Sequence, residues 1–228
     1  IDSEWVDPHQ IKKLVPIMNT ENCRYPVLGA SYQPRAGVAR HDAVAWGYAM
    51  RADELGVDII QNCEVKKIRT AKGKVQGVET SKGFIRSNRV GVVASGHTSV
   101  LAATAGIKLP LQSKALQALV SEPIKPVINT VVMSNAVHAY VSQSDKGELV
   151  IGAGTDGYNS YTQRGGYNII EDTIRAIVEL YPIFGKMKML RQWGGIVDIT
   201  PDASPILSKC EVEAVSYTHL TLPTKQPV

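Results

Sequence analysis

The sequence has few cysteines and histidines. Its 228 residues include three cysteines and five histidines. Cys23, Cys63 and Cys210 stand far apart, outside any CxxC motif or histidine pair at metal-ligand spacing. This pattern disfavours both a disulfide framework and a metal site. We therefore predict no metal and assign the cysteines to packing.

Long hydrophobic runs and blocks of charge are also missing. No apolar run approaches the ~20 residues of a membrane span, and the opening residues IDSEWVDPHQ lack the basic and apolar regions of a signal peptide. The net charge of +4 comes from 25 basic and 21 acidic residues, which form no basic stripe interleaved with aromatics. We predict a cytoplasmic protein without membrane or nucleic-acid partners.

The remaining composition is typical of a folded protein. Hydrophobic residues make up 44% and charged residues 20% of the chain, with no low-complexity tract. This length suits one or two domains. Because the chain begins with isoleucine, we interpret it as a piece of a longer protein.

The first half alternates helix and strand signals. Asp7 and Pro8 predict the start of a short helix that stops before Pro16. Apolar residues at helical spacing predict a helix over about 42–55, and the apolar run 57–60 predicts a buried strand. The turn signals AKGK and SKG then predict a β-meander, and VGVVASGHTS predicts a strand, a turn and a helix. This order indicates an α/β arrangement.

The second half has the pattern of a sheet with one helix. Strands are predicted around the turn SDKG, and apolar spacing predicts a helix over Ile169 to Leu180. The segment RQWGGIVDITPDASPIL, with its glycine pair and prolines, predicts a shaped loop between two strands. We expect a substrate-binding domain here.

Three constellations could carry chemistry. His41 lies at a predicted helix start beside Arg35 and Arg40, which favours a neutral, nucleophilic imidazole and an anion-binding environment; an exposed histidine that supports a loop is the alternative. The turn in VVASGHTS suits a phosphate but is also a common structural connection. His138 and Tyr140 alternate, so on a strand they would share one face, as a substrate pair or as ordinary sheet residues.

Longer segments resemble one known family. They are YPVLGASYQPRAGVARHDAVAWGYAMRADELGVDIIQNCEV, GHTSVLA, LQALVSEPIKPV, VVMSNAVHAYVSQSDKGELVIGAG and LRQWGGIVDITPDASPILSK. In this order they are similar to the β subunits of heterotetrameric sarcosine oxidases, flavoproteins of the D-amino acid oxidase superfamily. The resemblance runs from about Ile1 to Lys209.

The resemblance implies an α/β fold, with α+β character in the substrate part. Residues 1–108 would be part of a glutathione-reductase-like FAD-binding domain, 109–192 a mixed-sheet substrate domain, and 193–209 a return toward the FAD domain. The family's GxGxxG motif would precede Ile1. Residues 210–228, which lack the glycines that the family has there, are predicted to be a non-native tail, so the fragment is expected to be inactive as given.

The resemblance also implies cofactors and site residues. FMN would be attached covalently at His41, with Arg40 beside it, and FAD would bind non-covalently at Val65 and at the turn of Ala94, Ser95 and Gly96. His138 and Tyr140 would lie on the substrate side of the FAD as catalytic residues.

The implied activity is oxidative demethylation of sarcosine to glycine, with peroxide and a one-carbon unit, in a complex with α, γ and δ subunits and possible transfer to tetrahydrofolate. The alternatives are a related amine or dimethylglycine oxidase or dehydrogenase, and a non-catalytic fragment. Glycine oxidases carry a segment resembling WAGLRPxTPD, whose arginine grips the substrate carboxylate. Val197 stands at that position in WGGIVDITPD, which disfavours a primary amino acid held in the same way.

Overall fold

The computed structural model describes residues 2–209 and 215–218. The helices are α1 (Pro8–Leu14), α2 (His41–Glu54), α3 (Thr98–Ala103) and α4 (Tyr167–Leu180), with single 3₁₀ turns at Ser95–His97 and Pro182–Lys186. The strands are β1 (Glu4–Val6), β2 (Ala30–Tyr32), β3 (Val65–Ala71), β4 (Lys74–Thr80), β5 (Gly83–Arg86), β6 (Val90–Val92), β7 (Gln112–Pro123), β8 (Val132–Ser134), β9 (Ala139–Gln143), β10 (Glu148–Thr155), β11 (Met189–Ile199), β12 (Leu207–Lys209) and β13 (Val215–Thr218).

Helices and sheets are mixed along the chain, which confirms the predicted α/β class. The largest sheet has the order β11-β7-β10-β9-β8, and its paired strands are antiparallel. The other described strands form two three-stranded sheets, β12-β13-β6 and β3-β4-β5, and the pair β1-β2. Among the described residues, no helix is both long and apolar enough to cross a membrane.

The described residues form two compact units. The first contains 2–34 and 110–205, and the second contains 35–109, 206–209 and 215–218. This grouping differs from the predicted domains at two places. Residues 2–34 belong with the large sheet because Val6, Ile11 and Val15 are part of its core. Residues 193–199 complete β11 and lie in the first unit, which extends to residue 205. The predicted FAD-binding and substrate domains stay a prediction.

The first unit has a continuous apolar core. On one face of the large sheet, Val141, Ile151 and Leu119 follow one another across β9, β10 and β7 and are at most 4% exposed. Ile177 of α4 and Ile11 of α1 are members of the same buried cluster. These helices therefore cover one face of the sheet. Burial of this kind is the main source of stability in a domain of this size.

Helix α1 begins as its sequence predicts. Asp7 is the N-cap, and its Oδ1 accepts a hydrogen bond from the Gln10 backbone N–H at 2.8 Å. The Gln10 side chain returns a bond to the Asp7 N–H at 2.8 Å, which completes a capping box, and Pro8 occupies the first helical position.

The segment RQWGGIVDITPDASPIL does not form the predicted loop. Most of it belongs to β11, which pairs with β7 from Met189 to Ile199. Neither glycine interrupts the strand. Gly194 lies against the loop at 162–164, where its N–H donates to Gln163 O at 2.9 Å. The paired residues of β7 lie about 70 to 90 positions earlier in the sequence, so the local composition did not reveal the strand.

The second unit contains the predicted meander. Strands β3, β4 and β5 are antiparallel neighbours, and Lys72 and Gly73 make the first turn with φ of 50° and 74°. Both values lie in the left-handed region that tight hairpin turns require. The strand–turn–helix prediction is also confirmed in outline, as β6, the turn Ser95–His97 and α3, although β6 ends at Val92.

The prediction of a buried strand over 57–60 was wrong. This segment is extended but pairs with no strand of the described residues, and Val57, Ile59 and Ile60 are 52%, 47% and 52% exposed. A strand needs a neighbour for its backbone groups, and none of the described strands supplies one here.

Part of the predicted non-native tail is described. Its residues 215–218 form β13, which pairs in parallel with β6 and antiparallel with β12. The other tail residues, 210–214 and 219–228, lie outside the described residues. The origin of the tail stays a prediction.

Candidate functional site

His41 is the first residue of α2. Arg40 is the N-cap with extended backbone angles, and its carbonyl accepts the hydrogen bond of Val44 N–H at 3.0 Å. The side chains of both Arg40 and His41 are exposed. The imidazole therefore stands in solvent at the positive end of a helix, which is where the sequence predicted it.

A carboxylate shares this first turn. Asp42 Oδ1 accepts a hydrogen bond from Ala43 N–H at 2.9 Å. This bond lowers the pKa of the Asp42 carboxyl from its ordinary value, and the charges of His41 and Arg40 act in the same direction. The first turn around His41 is thus of mixed charge, with the acid Asp42 on one side and the base Arg40 on the other.

Val65 begins β3 and pairs with Thr80. Its side chain is 38% exposed, whereas Ile68 on the same strand is 1% exposed. β3 is an edge strand of the meander, so its outer backbone groups are not paired within that sheet. One of them, the Ile68 N–H, donates to the Thr104 hydroxyl at 3.0 Å. Backbone N–H and C=O groups at an edge can hydrogen-bond the polar atoms of a heterocyclic base.

The turn after β6 is built from small residues in a constrained conformation. Ser95 has a φ of 43°, an uncommon value for a residue other than glycine, and Gly96 is buried. The hydroxyl of buried Thr98 accepts the Ala94 N–H at 3.3 Å, and Ala94 O accepts the His97 N–H at 3.0 Å. Ser95 is exposed, and none of the three residues of the turn has a bulky side chain. A flat or phosphorylated ligand could therefore come close to the backbone of this turn.

Tyr140 lies on β9 of the large sheet, in the first unit. Its ring covers Gly152 on the neighbouring strand, where an added Cβ would come within 2.9 Å of the Tyr140 hydroxyl oxygen. Burial raises the pKa of the Tyr140 phenol. A tyrosine hydroxyl is protonated at neutral pH, so it can donate a hydrogen bond.

His138 does not lie on a strand with Tyr140, so the prediction of a shared face was wrong. The last pair of the β8–β9 hairpin is Ser134 with Ala139, which places His138 at the end of the connecting turn. Its φ of 51° is left-handed, and its side chain is exposed.

The sheet face that carries Tyr140 is the one not covered by α1 and α4. Tyr140, Gly152, Ala118 and Trp193 are consecutive partners across β9, β10, β7 and β11. Partners in adjacent strands share a face, so two partly exposed aromatic side chains flank two small residues. The sequence analysis did not identify Ala118 and Trp193 as members of this face, because the pairing of β7 with β10 and β11 is needed to place them there.

Val197 belongs to the same face, four residues beyond Trp193 on β11. Its direct partner on β7 is Lys114. Arg191 lies two residues before Trp193, and its guanidinium carbon is 5.3 Å from the centre of that ring. The face thus contains two cationic side chains, Lys114 and Arg191, besides the aromatic pair.

A glycine pattern of the dinucleotide-binding type, GAGTDG, occurs at Gly152, Gly154 and Gly157. It lies at the end of antiparallel β10 and runs into a loop, not directly into a helix. A Cβ at Gly154 would meet the side chain of Ile169. These glycines permit close packing, and the fold lacks the strand–turn–helix context of a phosphate site here.

Other features of the described residues carry little chemistry. No group of three or more His, Cys, Asp or Glu side chains in the described part of the chain could hold a metal ion. A recess of about 410 Å³ on the meander includes Arg69 and Glu79, which pair with each other. It contains none of the predicted site residues.

The predicted site residues thus fall in two groups. His41, Arg40, Val65 and the turn 94–96 belong to the second unit, and His138 and Tyr140 to the first. Within the second unit, His41 and Arg40 lie together as sequence neighbours at the start of α2.

Comparison with known proteins shows an extended likeness. The family described as "DAO: FAD dependent oxidoreductase" matches residues 1–221. The sarcosine oxidase subunit beta of Rhodobacter capsulatus is 57% identical over 94% of this chain and 52% of its own length. The Arthrobacter sp. subunit of the same name is 56% identical over 93% of this chain and 53% of its own.

A solved structure has the same fold. The L-proline dehydrogenase from P. horikoshii superposes with a TM-score of 0.87 at 26% identity, over 95% of this chain and 58% of that one. The chain therefore spans about half the length of the curated relatives it matches.

Proposed function

Since this chain belongs to the family of FAD-dependent oxidoreductases, we propose that it is the flavin- and substrate-binding part of a sarcosine oxidase β subunit. The reaction would be the oxidative demethylation of sarcosine to glycine, with release of peroxide and a one-carbon unit. The observation that carries the proposal is the 57% identity to the Rhodobacter capsulatus subunit over 94% of the chain.

We assign the substrate to the open face of the large sheet. When bound, the flavin supplies the two-electron acceptor that oxidation of an N-methyl amine needs. The Tyr140 hydroxyl would donate a hydrogen bond that orients the substrate. Val197 cannot bind a carboxylate by a bidentate contact, which disfavours a primary amino acid held by an arginine at this position. His138 joins this proposal through the family resemblance, from the hairpin turn beside β9.

We assign the flavins to the second unit. Non-covalent FAD would contact the backbone of Val65 and the turn of Ala94, Ser95 and Gly96, where small residues allow close approach. FMN would be bonded covalently to the exposed imidazole of His41, and the neighbouring Arg40 would balance the charge of its phosphate. The complex would include the α, γ and δ subunits in the cytoplasm, with tetrahydrofolate as an acceptor for the one-carbon unit.

The test uses a chimera: the Rhodobacter capsulatus subunit with its matched stretch replaced by the corresponding residues of this chain, co-expressed with the partner subunits of that organism. We expect sarcosine-dependent peroxide formation and a yellow, acid-precipitated β chain with FMN on the His41 peptide. His41→Ala should remove the acid-stable flavin, and His9→Ala, which changes another exposed histidine in the first turn of a helix, should retain it. A colourless precipitate from the unmodified chimera would contradict the FMN assignment.

The substrate assignment is tested separately, in the same chimera. Tyr140→Phe removes the proposed hydrogen bond and should lower kcat/KM for sarcosine by about 10-fold, if one neutral hydrogen bond is lost. The Tyr158→Phe change at an exposed loop tyrosine should have no such effect. Activity on dimethylglycine that exceeds activity on sarcosine would favour the alternative amine oxidase.

A further inference from the structure

The proposed substrate has a negative charge that the residues assigned to it so far do not neutralise. The carboxyl group of an N-methyl amino acid is ionised at neutral pH. Tyr140 can donate one neutral hydrogen bond, and the side chain of Val197 can donate none. An ionised group that leaves water needs a partner of opposite charge. The open face of the large sheet must therefore supply a cation if it binds such a substrate.

The cationic side chains identified on this face are those of Lys114 and Arg191. Arg191 is exposed, and its guanidinium carbon lies 5.3 Å from the centre of the Trp193 ring. This side chain is thus already engaged with an aromatic face. Lys114 is half-buried, and it forms no ion pair with any described residue. Its ammonium group is therefore the one that is available to an anionic ligand.

The acid beside this position in sequence points away from Lys114. Asp198 follows Val197 on β11, and successive residues of a strand point to opposite faces of the sheet. The Asp198 side chain is 3% exposed, and its Oδ1 accepts a hydrogen bond from the Ser113 hydroxyl at 3.2 Å. Ser113 precedes Lys114 on β7 and thus also belongs to the covered face. Asp198 therefore does not neutralise Lys114 on the open face.

There is room for a small ligand next to Lys114. Its direct partner on β11 is Val197, so Gly195 is its diagonal neighbour across the strand pair. Gly195 is exposed, and a Cβ added to it would meet no atom within 4 Å outside its two chain neighbours. Long side chains reach a diagonal neighbour in an antiparallel pair. The ammonium group of Lys114 can therefore lie over Gly195, on the side of the Trp193 ring.

We propose that Lys114 determines the specificity of this site by binding the carboxylate of the N-methyl amino acid substrate over Gly195. This inference rests on the proposed function and adds to it the residue that selects an anionic substrate. The contact is a charge-assisted hydrogen bond, which is about twice as strong as a bond between neutral groups.

Steady-state kinetics of the chimera test the proposal, with sarcosine and N-methylglycinamide as substrates. The amide keeps the N-methyl amine and has a neutral group in place of the carboxylate. Lys114→Met should lower kcat/KM for sarcosine by about 10-fold or more, mainly through a higher KM, and should change kcat/KM for the amide by less than about twofold. Lys114→Arg should restore most of the activity on sarcosine, because it restores the charge. Equal losses on the two substrates would overturn the proposal, since Lys114 would then have a structural role only.

Two further lysine and arginine variants locate the effect. Lys125 is exposed and lies two residues beyond the end of β7, so Lys125→Met should leave both activities unchanged. Arg191→Met should reduce the activity on sarcosine less than Lys114→Met does. An equal or larger loss at Arg191, confined to sarcosine, would overturn the assignment to Lys114.

Failure of this inference is distinct from failure of the proposed function. If the proposed function is wrong, the unmodified chimera will not oxidise sarcosine. If only the role of Lys114 is wrong, the chimera will be active and its Lys114→Met variant will keep the same preference for sarcosine over the amide.

Discussion

Helices α2 and α4 have the same length, 14 residues, but very different surroundings. In α4, Thr173, Ala176, Ile177 and Leu180 are buried against the large sheet. In α2 no residue is buried, although Val44, Tyr48 and Leu55 recur at helical spacing.

The difference between α2 and α4 shows what helical spacing of apolar residues can and cannot predict. Helical spacing of apolar residues predicts that a helix will form and which side of it will be covered. It does not say whether the covering element lies within the same stretch of sequence. The sheet that covers α4 is made by β7, β9 and β10, all within the described residues. Nothing equivalent is present for α2 among those residues.

The largest expected effect separates the two helices directly. In the 228-residue chain, Ile177→Ala should lower the free energy of unfolding by about 2–5 kcal/mol, because it leaves a cavity at a site that is 2% exposed. Met50→Ala, at 63% exposure, should change it by less than about 0.5 kcal/mol. Urea denaturation followed by circular dichroism measures both. A Met50→Ala cost equal to that of Ile177→Ala would show that α2 is covered in the isolated chain.

Local signals in the sequence were sufficient for several elements of both units. The capping box of Asp7 and Gln10 and the left-handed turn of Lys72 and Gly73 involve residues within a few positions of one another. The same holds for His41, whose place at a helix start follows from the apolar spacing behind it. Such features depend on short-range interactions, so the sequence alone predicts them.

Long-range pairing was beyond local signals. The sequence of β11 contains a glycine pair, which predicts a loop, and only its pairing with β7 identifies it as a strand. His138 alternates with Tyr140 in sequence, but the hairpin closes at Ser134 and Ala139 and leaves His138 in the turn. The sequence analysis did not predict the open sheet face for the same reason. Its residues, among them Tyr140, Trp193 and Lys114, lie on different strands, and only the pairing of β9, β10, β7 and β11 places them on one face.

The second prediction concerns the packing of the buried core of the first unit. Tyr181 follows α4 and is 0% exposed, and its hydroxyl has no hydrogen-bond partner among the described residues. Burial raises the pKa of this phenol well above its ordinary value. Replacement by phenylalanine removes an unsatisfied polar atom and keeps the ring, which packs 5.4 Å from that of Phe184. Tyr181→Phe should therefore raise the free energy of unfolding, by about 1 kcal/mol. A loss of stability in the same urea measurement would indicate that the hydroxyl has a partner.

The smallest expected effect concerns the exposed helix α2, at its first turn, which begins with His41. The folded pKa of Asp42 is lowered, chiefly by the hydrogen bond from Ala43 N–H. The ionised carboxylate therefore favours the helix, and this contribution is present above the unfolded pKa of about 3.9. It is lost as the pH falls through the lower, folded pKa. Carbon chemical shifts of residues 43–50 should accordingly move toward unfolded values on acidification. Asp42→Asn should abolish this part of the change, whereas Asp53→Asn, at the opposite end of the same helix, should preserve it because a negative charge there does not favour the helix. An identical pH response in the Asp42→Asn chain would assign the change to other groups.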